Sequence, residues 1–562
     1  MLSSPPPSSA YEAYLSKREN LIREERSLRR DQRPQIRHVS AIEAKADEIV
    51  RRIRGEEAKV LWGNHGAGSA DLLFPGMGFL TAKETILKSK IFRIIETMPK
   101  GALLHAHLDA IVDHRRLLRF ALTVGAPHMH IRVGKALNHS NLHTLIPEFR
   151  AFAVDDDPSP EASVLSVTEE SGYVPMTWVP LHVARENFRL GGFEDGEAVR
   201  DKRFKQHGRS DGEELFDAWV LAALQIHPSE AYETMNTVDK IWEKFRSCFG
   251  VTRGLFGYEP VYREYLREVF EGCVKDGISY VELRVNFYSR TMVRAGGIDD
   301  FSHREWMLAF REVLADFKKD LEKKGRGGDF AGARVIYTTL RDISVEDMDW
   351  YLDDCLQLKK EFPEEIIGFD MVGQEDQGEP LLFFAEQLVR FQERVAQEGL
   401  YLPFIFHAGE TLGDGDSTDT NVIDAIVLGT KRIGHGFSIA KHPFLMKMCR
   451  EKDILIEVCP VSNEILRLTS SMPMHPLPAM LNSGVPVALC CDDPAIFGNL
   501  GISFDFYQVL VASEISGLTT LGTMAMDSIL FSELPNNQKD RALREWEKRW
   551  AAFVEEIVRG TN

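Results

Sequence analysis

A chain of 562 residues, 44% of them hydrophobic, carries enough apolar material for a large buried core and is too long for one small domain. Its 67 Lys and Arg stand against 85 Asp and Glu, a formal net charge of -18, which opposes long-range attraction to nucleic acid or to an anionic membrane. Seven cysteines with no C-x-x-C pair make neither a disulfide framework nor a cysteine zinc site. The N-terminus has no apolar signal core and no run reaches the length of a membrane span, so a soluble cytoplasmic protein with reduced thiols is expected.

In chain order, residues 1–10 are Ser/Pro-rich and are expected to be disordered. Tyr14, Leu21 and Leu28 recur every seven residues and predict an amphipathic helix over 11 to about 30. Ser40 with Glu43 reads as a capping box for a second helix that carries Ile42, Ile49 and Ile53 and ends at Gly55. Beyond residue 98, short apolar runs at 101–107, 278–286, 333–339, 366–372, 402–407, 432–435, 454–459 and 485–491 alternate with helical stretches. Eight such runs predict an α/β fold, a closed (β/α)8 TIM-type barrel. Residues 1–90 are then a helical extension and 91–562 the barrel. An insertion at about 111–225 follows the first strand and includes the acidic stretch 155–163 and the Gly-rich loop 191–203.

Chemistry is expected at the strand ends. His105 and His107 share a face of the first strand, either as half of a metal site or as a hydrogen-bonded core pair. The fifth run ends with His407 and Glu410, the sixth with His435 and the eighth with Asp492 and Asp493, where a barrel of this type gathers its active site. Three His and one Asp favour Zn2+, whose bound water falls in pKa from about 15.7 toward roughly 7. The fourth run, IIGFDMVG, has no Lys to bridge two metals, so one zinc per subunit is expected. A second H-x-H, His128 and His130, and the pair His139 and His143 lie in the insertion and read as structural or surface histidines. The PVSNE segment at 460–464 borders the seventh strand without an assigned chemistry.

The stretches MPKGALLHAHLDA, YVELRVNF, GFDMVGQED, FHAGET, RIGHGF, IEVCPVSNEIL and CDDPAIFG, in this order, resemble the adenosine deaminase family, and within it the branch of adenosine deaminase-related growth factors. The resemblance implies hydrolysis of a cyclic amidine C–N bond, converting adenosine to inosine and ammonia. It implies His105, His107, His407 and Asp492 as zinc ligands, and His435 as the group that orients and deprotonates the zinc water. Glu410 becomes the acid at purine N1, Asp493 the partner of N7, the Gly373 backbone N–H the partner of N3, and Asp109 a ribose contact. It also implies a homodimer formed through the helices at 11–54.

This chain departs from that branch at the sugar end of the pocket: Leu340 replaces a His, and Arg246 follows WEKF where a carboxylate is expected. Arg246 is either a surface helix residue or a phosphate contact, and the second reading points to deamination of adenosine 5′-phosphates. A third reading, a binding or signalling protein that keeps the barrel as scaffold, gives no reason for Glu410 and His435 to occur together. The expected partner is a small purine nucleoside or nucleotide, with no nucleic acid and no membrane.

Overall fold

Eight short parallel strands organise the chain: β1 (Gly101–His107), β2 (Ile278–Asn286), β3 (Gly332–Leu340), β4 (Ile366–Val372), β5 (Phe406–Ala408), β6 (Arg432–His435), β7 (Leu455–Val458) and β8 (Val487–Leu489). The computed structural model describes residues 9–63, 73–138, 141–142, 144–156, 158, 167–168, 173–188, 212–287 and 289–560. Strands β1 to β4 pair in sequence order, as do β5 to β8. Two parallel bridges join these halves, Phe369 to Phe404 on one side and Ala106 to Asp492 on the other, so the ring closes. Every residue of β1 and β4 is buried, as expected of strands covered on both faces, and this is why they read as continuous apolar runs rather than alternating ones.

The fifth and eighth strands are shorter than their apolar runs. Pro403 and Pro486 have no N–H for a ladder, yet their carbonyls accept from Phe369 and Ile456 respectively, so they dock at the sheet without extending it.

The insertion supplies a three-stranded antiparallel sheet formed by Met129–Arg132, Glu148–Ala151 and Val179–Pro180. His128 and His130 belong to its hydrogen bonding: Nδ1 of His128 lies 2.7 Å from the Phe152 carbonyl, and Nδ1 of His130 lies 2.7 Å from the His128 carbonyl. His139, His143, residues 1–8 and the loop at 191–203 lie outside the described residues.

At the N-terminus, helix α1 (Ser9–Arg26) buries none of its residues, and Tyr11, Tyr14 and Leu21 are exposed. Helix α2 (Ala41–Val60) starts where the Ser40 side chain accepts from the Glu43 N–H. The Glu43 carboxylate pairs with Arg37 instead of returning to the cap, so the box is half made. The helix passes through Gly55, correcting the predicted end. A glycine stops a helix when it turns left-handed, and Gly55 is not among the residues with positive φ. Within a helix it costs only about 1 kcal/mol relative to alanine. Arg37 also stacks near Trp546 and Trp550 of the C-terminal helix α5 (Asn536–Arg559), fixing the extension against the barrel. Among the described residues no helix is long and apolar enough to cross a membrane.

Candidate metal and catalytic site

At the C-terminal ends of the strands, one donor atom from each of His105, His107, His407 and Asp492 comes within 4.8 Å of all the others. Oδ1 of Asp492 lies 3.2 Å from Nε2 of both His105 and His107. Nε2 of His105 and Oδ1 of Asp492 are buried and make no hydrogen bond, an expensive arrangement unless a cation takes both lone pairs. Three imidazole nitrogens and a carboxylate oxygen suit a divalent metal. Cys459 also approaches His105, His435 and Asp492, and burial holds its thiol well above the usual range.

The imidazoles are aimed by carboxylates. Nδ1–H of His105 donates to Glu457 (2.9 Å) and Nδ1–H of His407 to Asp370 (2.7 Å), leaving each Nε2 bare. Burial alone would raise both carboxyls. Arg284 and Arg432 hold Glu457 well below its usual range, while His407 and Arg284 lower Asp370. Arg284 spans the two, 2.8 Å from each, and Arg432 continues the chain from Glu457 to Glu282. All these side chains are buried within the barrel, so each charge depends on its partner. A β-carbon on Gly434 of β6 would come within 2.8 Å of Cε1 of His105, so the glycine of RIGHG makes room for that ring.

His435 and Asp492 adopt left-handed backbone, φ 60° and 59°, which costs a non-glycine residue roughly 1–2 kcal/mol. His435 is the last residue of β6, and Asp492 lies three residues beyond β8. Nε2 of His435 then lies 3.7 Å from Asp492 Oδ2 and its Nδ1 lies 3.6 Å from Glu410 Oε1.

A cavity of about 310 Å³ opens onto this group. His107, His407, Glu410, His435, Asp492 and Asp493 line its floor, while Asp109, Gly373, Leu340 and Arg246 line its sides. His105 lies beneath, fully buried. Burial, reinforced by the charges of Asp492 and Glu375, pushes the Glu410 carboxyl well above its ordinary range, and burial beside Asp492 does the same to Asp493. Glu375 fixes the Glu410 backbone by accepting from the N–H of Gly409 (3.1 Å) and of Glu410 (2.8 Å). The structure therefore gathers the predicted metal and acid/base residues at one cavity, with His105 buried behind its lining.

Helix α3 (Val238–Phe256) forms one wall, with Trp242 and Phe245 buried and Arg246 exposed at the rim. Arg246 is thus a surface residue of α3 that also lines the cavity. Arg253, two turns further on, lies 4.0 Å from Asp109. Sequence reasoning passed over Arg284, Asp370, Glu457 and Glu375, although an isolated charge inside an apolar strand run is itself a signal of a buried pair.

A family model described as "Adenosine deaminase" matches residues 223–548. Adenosine deaminase 2-A of Danio rerio is 33% identical over 487 residues, covering 86% of this chain and 85% of that protein. Adenosine deaminase 2 of Homo sapiens is 32% identical, covering 87% and 84%, and an adenosine deaminase of Lutzomyia longipalpis is 30% identical, covering 97% and 94%. Among solved structures, an Arabidopsis N6-mAMP deaminase aligns with a TM-score of 0.50 at 16% identity over 81% of this chain and 99% of that one, a likeness of fold. Strand order, the four converging His and Asp donors and identity sustained over most of the length agree, and the chain belongs to the adenosine deaminase family.

Proposed function

We propose that this protein is a zinc-dependent deaminase that converts adenosine, or a closely related 6-aminopurine nucleoside, into inosine and ammonia. The observation that carries the reading is the Glu410 carboxyl, buried so that its protonated form is favoured, in the same cavity as the His107, His407 and Asp492 donors. His105, His107, His407 and Asp492 hold one Zn2+, which when bound activates water at neutral pH. Asp493 takes N7, the Gly373 backbone N–H takes N3, and Asp109 holds the ribose.

Glu410 passes its proton to N1 as the oxygen of water bonds to C6, so C6 becomes tetrahedral without leaving negative charge on the ring. The proton released by that water restores Glu410. His435, whose Nε2 is turned toward Asp492, orients the attacking water. The C6–N6 bond then breaks, the nitrogen leaves as ammonia with the proton of the new C6 hydroxyl, and the 6-oxo purine remains. The test is the fall in absorbance of adenosine on adding metal-replete protein. Absence of turnover on adenosine and on its 5′-phosphates overturns the reading.

Arg246 at the cavity rim favours a second reading, in which the 5′-phosphate of AMP, ADP or ATP is recognised beyond the ribose. The assembly we propose is a homodimer. Its support is α1, which leaves Tyr11, Tyr14 and Leu21 exposed and buries no residue. Removal of residues 1–30 is expected to give a monomer by sedimentation.

A further inference from the structure

Behind His435 lies a line of hydrogen bonds that the proposed reaction does not use. It begins at the backbone N–H of Leu477, which can only donate, and which points at Nδ1 of His475 at 2.9 Å. Nδ1 of His475 must therefore be bare, and the single proton of the neutral ring sits on Nε2. Burial drives the pKa of His475 down to about 3, which keeps the ring neutral across the working pH range. Its Nε2–H then donates to Oδ1 of Asn463, 3.0 Å away. That contact decides the orientation of the Asn463 amide, because only the oxygen can accept. The amide NH2 is left facing Nδ1 of His435 at 3.2 Å.

From these contacts we infer that Asn463 and His475 are positioning residues that hold His435 in one tautomer, with Nδ1 bare and the proton on Nε2, the nitrogen turned toward Asp492 and the reacting atoms. Direction travels from a fixed backbone donor, through two side chains, to the site. The other neighbour of Nδ1, Glu410 Oε1 at 3.6 Å, is beyond hydrogen-bonding distance. His475 also packs edge-on against Phe437, ring centroids 5.4 Å apart, so the far end of the relay rests on the same strand end that carries His435. Asn463 is itself rigid. It sits in helix α4 (Pro460–Ile465), and its carbonyl accepts from the N–H of Leu468 and of Thr469. This gives a chemistry to the PVSNE segment. It also sharpens the part of His435, which meets the attacking water as a hydrogen-bond donor that orients it, rather than as an empty base.

The inference rests on the proposed deaminase reading for its effect on turnover, but not for the tautomer. The experiment is 15N NMR of the zinc-loaded protein labelled on histidine, with the His435 signals identified by their loss in His435→Gln. A bare Nδ1 and a protonated Nε2 are expected. Asn463→Asp, which replaces the donor by a carboxylate, is expected to move the proton to Nδ1. It should also lower kcat by about 10- to 100-fold, with KM within about threefold and one zinc per subunit retained. His475→Leu should lower kcat similarly. His475→Gln places an amide N–H where Nε2–H was and should keep kcat within about threefold of the parent.

A protonated Nδ1 on His435 in the parent protein overturns the relay whether or not any variant folds. So does an unchanged kcat in both Asn463→Asp and His475→Leu. A protein that shows the expected tautomer but no deamination leaves the relay standing and removes the proposed function instead.

Discussion

Asp370 grips His407 twice: one carboxylate oxygen takes the ring Nδ1–H at 2.7 Å and the other takes the backbone N–H of the same residue at 2.8 Å. The ring can then neither rotate nor change tautomer without losing a charge-assisted hydrogen bond in a dry interior. Asp370→Asn replaces one of these acceptors by an NH2 group and leaves Arg284 with Glu457 as its one remaining carboxylate partner. Zinc affinity is expected to fall by about 10- to 100-fold, as found when such outer partners of metal-bound histidines are removed. Competition with a chromophoric chelator measures it, and parent-like affinity would remove Asp370 from the metal site.

Glu410→Gln keeps the shape of the side chain and removes the transferable proton. Because Glu410 is outside the group of metal donors, zinc content should stay at one per subunit. Turnover should fall by about 10²- to 10⁴-fold, the usual contribution of a placed general acid. A variant that keeps a near-parent rate would take Glu410 out of the acid role.

Arg246 offers a direct comparison of substrates. With adenosine, Arg246→Ala should leave kcat/KM within about threefold of the parent, since a ribose hydroxyl gains little from a guanidinium at an exposed rim. If the 5′-phosphates are the substrates, the same change should lower kcat/KM for AMP by about 10- to 100-fold, the worth of a hydrogen bond to a charged group. Measuring adenosine, AMP and ATP side by side with both proteins separates the two.

Glu464 makes stability depend on pH. It is buried, accepts from the Phe79 N–H (2.9 Å) and the Tyr232 hydroxyl (3.1 Å), and burial pushes its carboxyl up to about 7. The folded protein thus binds this proton more tightly than the unfolded chain, whose ordinary value is 4.5. Its stabilising contribution is complete below about pH 4.5 and is lost as pH rises through about 7, by up to about 3 kcal/mol. Glu464→Gln should flatten that part of the pH profile and unfold at higher temperature than the parent at pH 8. A parent profile that is level between pH 5 and 8 would contradict this assignment.

Much of the site could be read from the chain because a barrel turns sequence position into spatial position. His105, His407, His435 and Asp492 each follow an apolar run, and only the ends of such runs converge. The charges beneath them were harder to see. Glu282 and Arg284 in VELRV, Asp370 in GFDMV and Glu457 in LIEV look, one strand at a time, like single polar interruptions. They pair across the barrel interior, Arg284 of β2 with Asp370 of β4 and with Glu457 of β7, and no single run says which strands face one another. Gly55 misled for the opposite reason. Its neighbours continue a good helix, and local punctuation was outweighed by the packing of α2 on α5. Arg246 illustrates a third case, since spacing along α3 places it on a face but not at the lip of a cavity.

The bridge between Ala106 and Asp492 joins the first strand of the barrel to the segment just after the last. Two of the four metal donors lie on one side of that seam and Asp492 on the other, almost four hundred residues later in the chain. While the polypeptide emerges from the ribosome, the histidines of β1 are made early and must wait for nearly the whole barrel before their carboxylate partner exists. Assembly of the four-donor group is therefore a late event in biosynthesis, and a chain cut short before residue 492 lacks its one carboxylate.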